Sequence, residues 1–88
     1  MRILATTRFK RDIKRCQKRG YRLERLKHII DCLEATQTLD PAWKNHHLTG
    51  NYEGAQELHI QPDWLLIYEM SDEHLILIRT GTHTDLFD

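Results

Sequence analysis

Residues 57–68 read ELHIQPDWLLIY, two apolar runs hinged at Gln61-Pro62-Asp63. Proline presets the φ of a turn and an aspartate bonds its own backbone there, so the hinge predicts a hairpin between strands at about 56–60 and 64–70. A second break, Ser71-Asp72-Glu73, leads into another apolar run at 74–80 and makes the hairpin a three-stranded meander. Upstream of a loop-like stretch at 36–54, broken by Pro41, Gly50 and Gly54, the periodicity changes. From Arg8 to Arg19 the apolar positions Phe9, Ile13 and Cys16 recur every three or four residues, which predicts a helix with a narrow buried stripe. Thr6 or Thr7 can cap its start and Gly20 stops it. A second helix at about 22–35 carries Leu23, Leu26, Ile30 and Leu33, and RILAT at 2–6 is a short strand. The expected fold is therefore α+β, in the order β-α-α-β-β-β: a two-helix hairpin packed on a mainly antiparallel four-stranded sheet.

The chain has 88 residues, no internal repeat and no linker-like tract, so residues 1–88 are expected to form one domain. Its apolar share of 40% and charged share of 30% are ordinary for a globular protein. No apolar run approaches the roughly 18 residues of a membrane span, and the first residues lack the apolar core of a signal peptide. Cys16 and Cys32 both fall in helical segments and read as reduced packing thiols, so a cytoplasmic protein without a membrane partner is expected.

The formal net charge of zero hides an asymmetry. Residues 1–27 hold eleven Lys/Arg against two acids, Asp12 and Glu24, whereas residues 28–88 hold two bases, Lys44 and Arg79, against eleven acids. The first helix gathers Arg8, Lys10, Arg11, Lys14, Arg15, Lys18 and Arg19, a cationic surface suited to a polyanion or to an acidic partner.

The meander brings polar residues together. A turn centred near 61–62 sets His59 across from Asp63 or Trp64, and one near 72 sets Arg79 across from Trp64 or Leu65, with Cβ atoms about 5 Å apart. His83, four residues after Arg79, can fold back onto the same end. An imidazole gives or takes a proton near neutral pH. An aspartate can orient it, and a guanidinium can hold a phosphate and the extra charge of its transition state. Trp64 and Tyr68 could present faces to an unpaired base. Each residue has a plainer role open to it: a structural histidine, a core tryptophan, a turn aspartate, an Arg79–Asp63 ion pair. A metal site is the competing chemistry, since His46, His59, His83 and Asp63 are acceptable zinc ligands, but no HxxxH or CxxC spacing is present and the expectation is no metal and no cofactor.

KNHHLTGNYEGAQELHIQPDWLLIYE and LILIRTGTHTDLF resemble the C-terminal half of YafQ-type toxins, within the RelE/ParE superfamily of toxin–antitoxin ribonucleases, and FKRDIKRCQKRGY resembles their basic first helix. The resemblance spans nearly the whole chain and implies a small fold of two helices on an antiparallel sheet. It implies an endoribonuclease that cuts mRNA in the ribosome and is silenced by a cognate acidic antitoxin, meeting DNA only through that complex. By position it implies catalytic roles for His46, His59, Asp63 and His83, with Trp64, Arg79 and Phe87 supporting substrate binding. In that scheme His83 is the general acid, His46 or His59 takes the 2′-OH proton, Asp63 tunes one imidazole, Arg79 holds the scissile phosphate and Phe87 packs the tail behind His83. The chain departs from the family pattern at His47, where a proline is common, at Gln56, where an arginine is common, and at Leu58, where a small residue is favoured. Relatives of similar fold without the histidines poison gyrase, which is the alternative function.

Overall fold

The computed structural model describes residues 1–87. Strand β1 (Arg2–Ala5) leads into helix α1 (Thr7–Lys18), whose start is capped by Thr6 Oγ1 accepting the Phe9 N–H at 3.0 Å. Gly20 at φ +76° ends it: Gly20 N–H donates to Gln17 O and Tyr21 N–H to Cys16 O, the paired bonds of a left-handed helix stop. Helix α2 (Leu23–Glu34) ends the same way through Thr36 at φ +52°, a β-branched residue in a conformation glycine would adopt without strain.

The expected loop at 36–54 holds two short 3₁₀ turns, Pro41–Trp43 and Gly50–Tyr52, around a two-residue strand β2 (His46–His47). The meander follows as β3 (Gln56–Gln61), β4 (Trp64–Met70) and β5 (His74–Gly81), and the tail closes as helix α3 (His83–Phe87). The sheet has five strands rather than four, in the order β1-β5-β4-β3-β2, with β1 parallel to β5 and every other pair antiparallel. Strand β2 escapes the sequence pattern because its polar residues do not alternate with apolar ones; pairing with β3 makes it a strand. Helix α3 escapes it because a five-residue helix has no periodicity to read. It is held by Thr82, whose hydroxyl accepts the Asp85 N–H while Asp85 Oδ2 accepts the Thr82 N–H.

Apolar side chains cover both faces of the sheet. On one, Leu58, Ile60, Trp64, Leu66, Tyr68, Leu75 and Leu77 pack with Phe9 and Cys16 of α1 and Leu26, Ile29 and Leu33 of α2. On the other, Ala55, Leu65, Ile67 and Leu86 form a smaller cluster with Leu48, Tyr52 and Ile78. Central β4 is consequently buried from Trp64 through Tyr68. Burial pushes the Cys16 thiol up, and both cysteines are free. No helix among the described residues is long and apolar enough to cross a membrane.

Candidate active site

Strand β3 alternates. Leu58 and Ile60 point to the helices, which sends Glu57 and His59 to the other face. His46 of β2 pairs with Glu57, so it stands beside them. A register shift after His59 moves the hairpin from the expected pairing: His59 lies opposite Leu65, and Gln61 opposite Trp64. The bulge frees Asp63 at the turn to meet α3, where its Oδ1 accepts the His83 backbone N–H at 2.9 Å and lies 2.6 Å from His83 Nδ1. The ring centroids run in a row, His46 to His59 at 6.3 Å, His59 to His83 at 5.8 Å and His83 to Phe87 at 6.4 Å. His46, His59, Asp63 and His83, drawn from a loop edge, a strand, a turn and a helix, thus share one surface.

Two proton-handling units result. In the first, the Asp63 carboxylate is held below the usual range by the backbone and ring N–H groups of His83. It fixes the Nδ1–H tautomer and leaves His83 Nε2 outward. In the second, Glu57 is 4% exposed and its Oε1 lies 3.4 Å from His46 Nε2 and 3.5 Å from His59 Nε2. His46 Nδ1 is 2.8 Å from the Lys44 carbonyl, which only accepts, so that nitrogen carries hydrogen and Nε2 is the one that faces Glu57. Glu57 was not among the residues picked out from the sequence. Its signal was an acid two residues before His59 in an apolar strand, where i and i+2 share a face.

The surrounding residues differ from expectation in three ways. Trp64 is 2% exposed, its indole N–H donates to Thr80 Oγ1 at 2.9 Å and its ring packs 4.9 Å from Tyr21. It is a core residue and offers no face to a base. Tyr68 is equally enclosed, its phenol pushed up to about 12 by burial and bonded to Asn45, next to His46. Arg79 sits opposite Ile67, further along the sheet than the hairpin arithmetic placed it, because a second register shift follows that pair. Its Nε and Nη2 donate to Asp12 at 2.7 and 3.1 Å, so its guanidinium is engaged by α1 rather than free for a scissile phosphate.

The cationic helix also divides. Arg15 and Arg19 are spent on Asp12 and Asp85, the Arg19 guanidinium gripping both Asp85 oxygens at 2.6 and 3.0 Å. Arg8, Lys10, Arg11, Lys14 and Lys18 are exposed, and among the described residues none of them forms an ion pair. Phe87, 47% exposed, stands edge-on to Tyr52 at 5.9 Å and flanks His83 as the tail packing requires. His46, Glu57 and His59 place one ligand atom each within 4.8 Å of one another, a set that could take a transition-metal cation.

Known proteins share this fold. The mRNA interferase toxin YafQ of Escherichia coli K12 is 39% identical over 80 residues, covering 90% of this chain and 87% of its own. Crystal structures of E. coli YafQ superpose with a TM-score of 0.95 at 34% identity for the toxin alone, and 0.91 at 37% for its complex with DinJ, each covering 100% of both chains. A metal-bound toxin from Helicobacter pylori gives 0.91 at 34% identity over 99% of both chains. The profile of YafQ, a bacterial toxin of type II toxin–antitoxin systems, matches residues 1–88. By fold and over its full length, the chain belongs to the YafQ family of bacterial toxins of type II toxin–antitoxin systems.

Proposed function

We propose that this chain is an endoribonuclease that cuts mRNA on the ribosome by imidazole acid–base catalysis without a metal, inhibits translation, and is held in check by a cognate acidic antitoxin. The observation that carries the reading is the pairing of His59 and His83, 5.8 Å apart, one beside a buried carboxylate and the other on Asp63. A phosphodiester between them presents its 2′-OH to one ring and its 5′-oxygen to the other. His59 or His46 takes the 2′-OH proton, the 2′-oxygen attacks phosphorus, and the bond to the 5′-oxygen breaks as His83 supplies that oxygen with a proton. The products are a 2′,3′-cyclic phosphate and a 5′-hydroxyl. Asp63 holds the His83 ring through both changes of charge, and Glu57 stabilises the positive charge that arrives on its imidazole neighbour. With two Arg79 nitrogens engaged by Asp12, an imidazolium of the row supplies positive charge to the developing phosphorane.

The exposed cations of α1 suit rRNA phosphates and, in the silenced state, an acidic antitoxin segment. The E. coli relative forms a complex with DinJ, which supports an antitoxin partner; DNA is reached through that partner alone. The deciding experiment maps 5′ ends of cellular mRNA after brief expression of wild type beside His83→Ala, with new in-frame ends in the first and none in the second. Growth arrest that survives His46→Ala, His59→Ala and His83→Ala together, with translation intact, would instead mark a protein-poisoning toxin. The His46–Glu57–His59 triad favours one further reading, a metal-assisted reaction, in which chelator would abolish cleavage and Zn²⁺ restore it.

A further inference from the structure

Beyond His59 the surface opens into two adjoining cavities of about 510 and 300 Å³ that share Arg25, Trp43 and Ile60. His59 belongs to the wall of the larger one, so the catalytic row and the groove are continuous. Trp43 closes the 3₁₀ turn Pro41–Trp43, is half-buried, and stands edge-on to His28 at 6.0 Å. Next to it Lys44 adopts φ +51°, its carbonyl 2.8 Å from His46 Nδ1, and lines the larger cavity. Among the described residues neither Lys44 nor Arg25 forms an ion pair, although each lines the groove with Trp43. Ile60 and Pro62 supply an apolar floor.

An aromatic side chain sharing a groove with two cations outside any ion pair, beside a candidate catalytic imidazole, is the chemistry of single-stranded RNA recognition: the base stacks and the phosphates meet the cations. We propose that this groove is the subsite for the nucleotide on the 5′ side of the scissile bond, its base against Trp43 and its phosphate on Lys44 and Arg25. The side follows from placing the 2′-OH at the His46–His59 end of the row and the leaving oxygen at His83, and so rests on the nuclease reading above. A groove that carries Trp43 and two cations against one carboxylate, Glu24, and that opens at His59 favours the substrate strand over an acidic antitoxin peptide.

The two tryptophans make the test direct, because Trp64 is buried and Trp43 is the one a ligand can reach. The full chain is titrated with a 2′-O-methyl oligoribonucleotide, which cannot be cut. Binding is followed both by anisotropy of a label on the RNA and by intrinsic tryptophan fluorescence. RNA binding should quench fluorescence in wild type and in Trp64→Phe, but not in Trp43→Phe. Trp43→Leu should weaken binding about tenfold. Lys44→Gln and Arg25→Gln should each lower the slope of log Kd against log salt by about one. RNA that binds without quenching, or fails to bind, overturns the subsite; so does quenching by an acidic peptide and not by RNA. Separate cleavage assays with wild type and His83→Ala show whether the nuclease reading survives that outcome.

Discussion

His83 and Asp63 are joined twice, through the ring and through the backbone, both N–H groups converging on a single oxygen of Asp63. The hairpin turn thereby sets the position of the helix that begins at His83, and the tautomer of its ring. Both donors hold the Asp63 carboxyl below its usual range, so it stays charged throughout about pH 5 to 8 and the dyad keeps its geometry there. Asp63→Asn keeps the shape and removes the charge. Cleavage of mRNA should fall by about 10²-fold or more, while circular dichroism and Tm stay near wild type, since the pair is exposed.

Glu57 supplies the other half of the charge pattern. Its contacts to His46 and His59 are 3.4 and 3.5 Å, long for hydrogen bonds, so it stabilises the fold little while costing desolvation. Glu57→Gln should change stability by less than about 1 kcal/mol and lower cleavage at least tenfold. Single-turnover rates measured beside chemical denaturation separate the two effects. An unchanged rate would remove Glu57 from the site.

The Arg79–Asp12 pair is a stability element. Asp12 is 2% exposed and accepts from the Arg79 guanidinium, the Thr80 N–H and Arg15. Asp12→Asn leaves the Arg79 cation buried without its partner, at a cost of about 3–5 kcal/mol, a large share of a small domain's stability. Adding Arg79→Met to that variant should recover part of the loss in a thermal melt. A Tm left unchanged by Asp12→Asn would remove the pair as a stability element.

Acid sensitivity should track Asp85. The Arg19 guanidinium, then the Thr82 N–H and hydroxyl, hold its carboxyl well below the usual range. A carboxyl depressed in the folded state contributes stability that is complete above its unfolded value, near 4, and is lost as pH falls toward the folded value. Tm should therefore be flat from about pH 7 to about pH 5 and fall below that. Asp85→Asn should start from a lower Tm and show a shallower decline, and because Asp85 anchors α3, it should also weaken cleavage through His83.

Thr36 offers a gain. It holds φ +52° at the end of α2, where a β-branched side chain is strained. Thr36→Gly should raise stability by about 0.5–1 kcal/mol with cleavage unchanged, read from denaturant midpoints.

The periodicities and punctuation of the chain were enough for the helices, the three-stranded meander and the gathering of His59, Asp63 and His83, because these depend on contacts between near neighbours in sequence. A catalytic place for His46 is implied only by the family likeness, since nothing in KNHHL announces a strand. What the linear order could not carry was register. A bulge after His59 sets that residue opposite Leu65, and a second after Ile67 moves Arg79 away from Trp64, where it meets Asp12, 67 positions earlier in the chain. The same long-range packing buries Trp64 between Tyr21 and Thr80, makes a five-residue helix of the tail, and brings Glu57 under two imidazoles. A side chain's type and spacing say what it can do. Whether it faces solvent, a partner or the core depends on which distant strand or helix lies against it, and that is settled only when the whole chain packs.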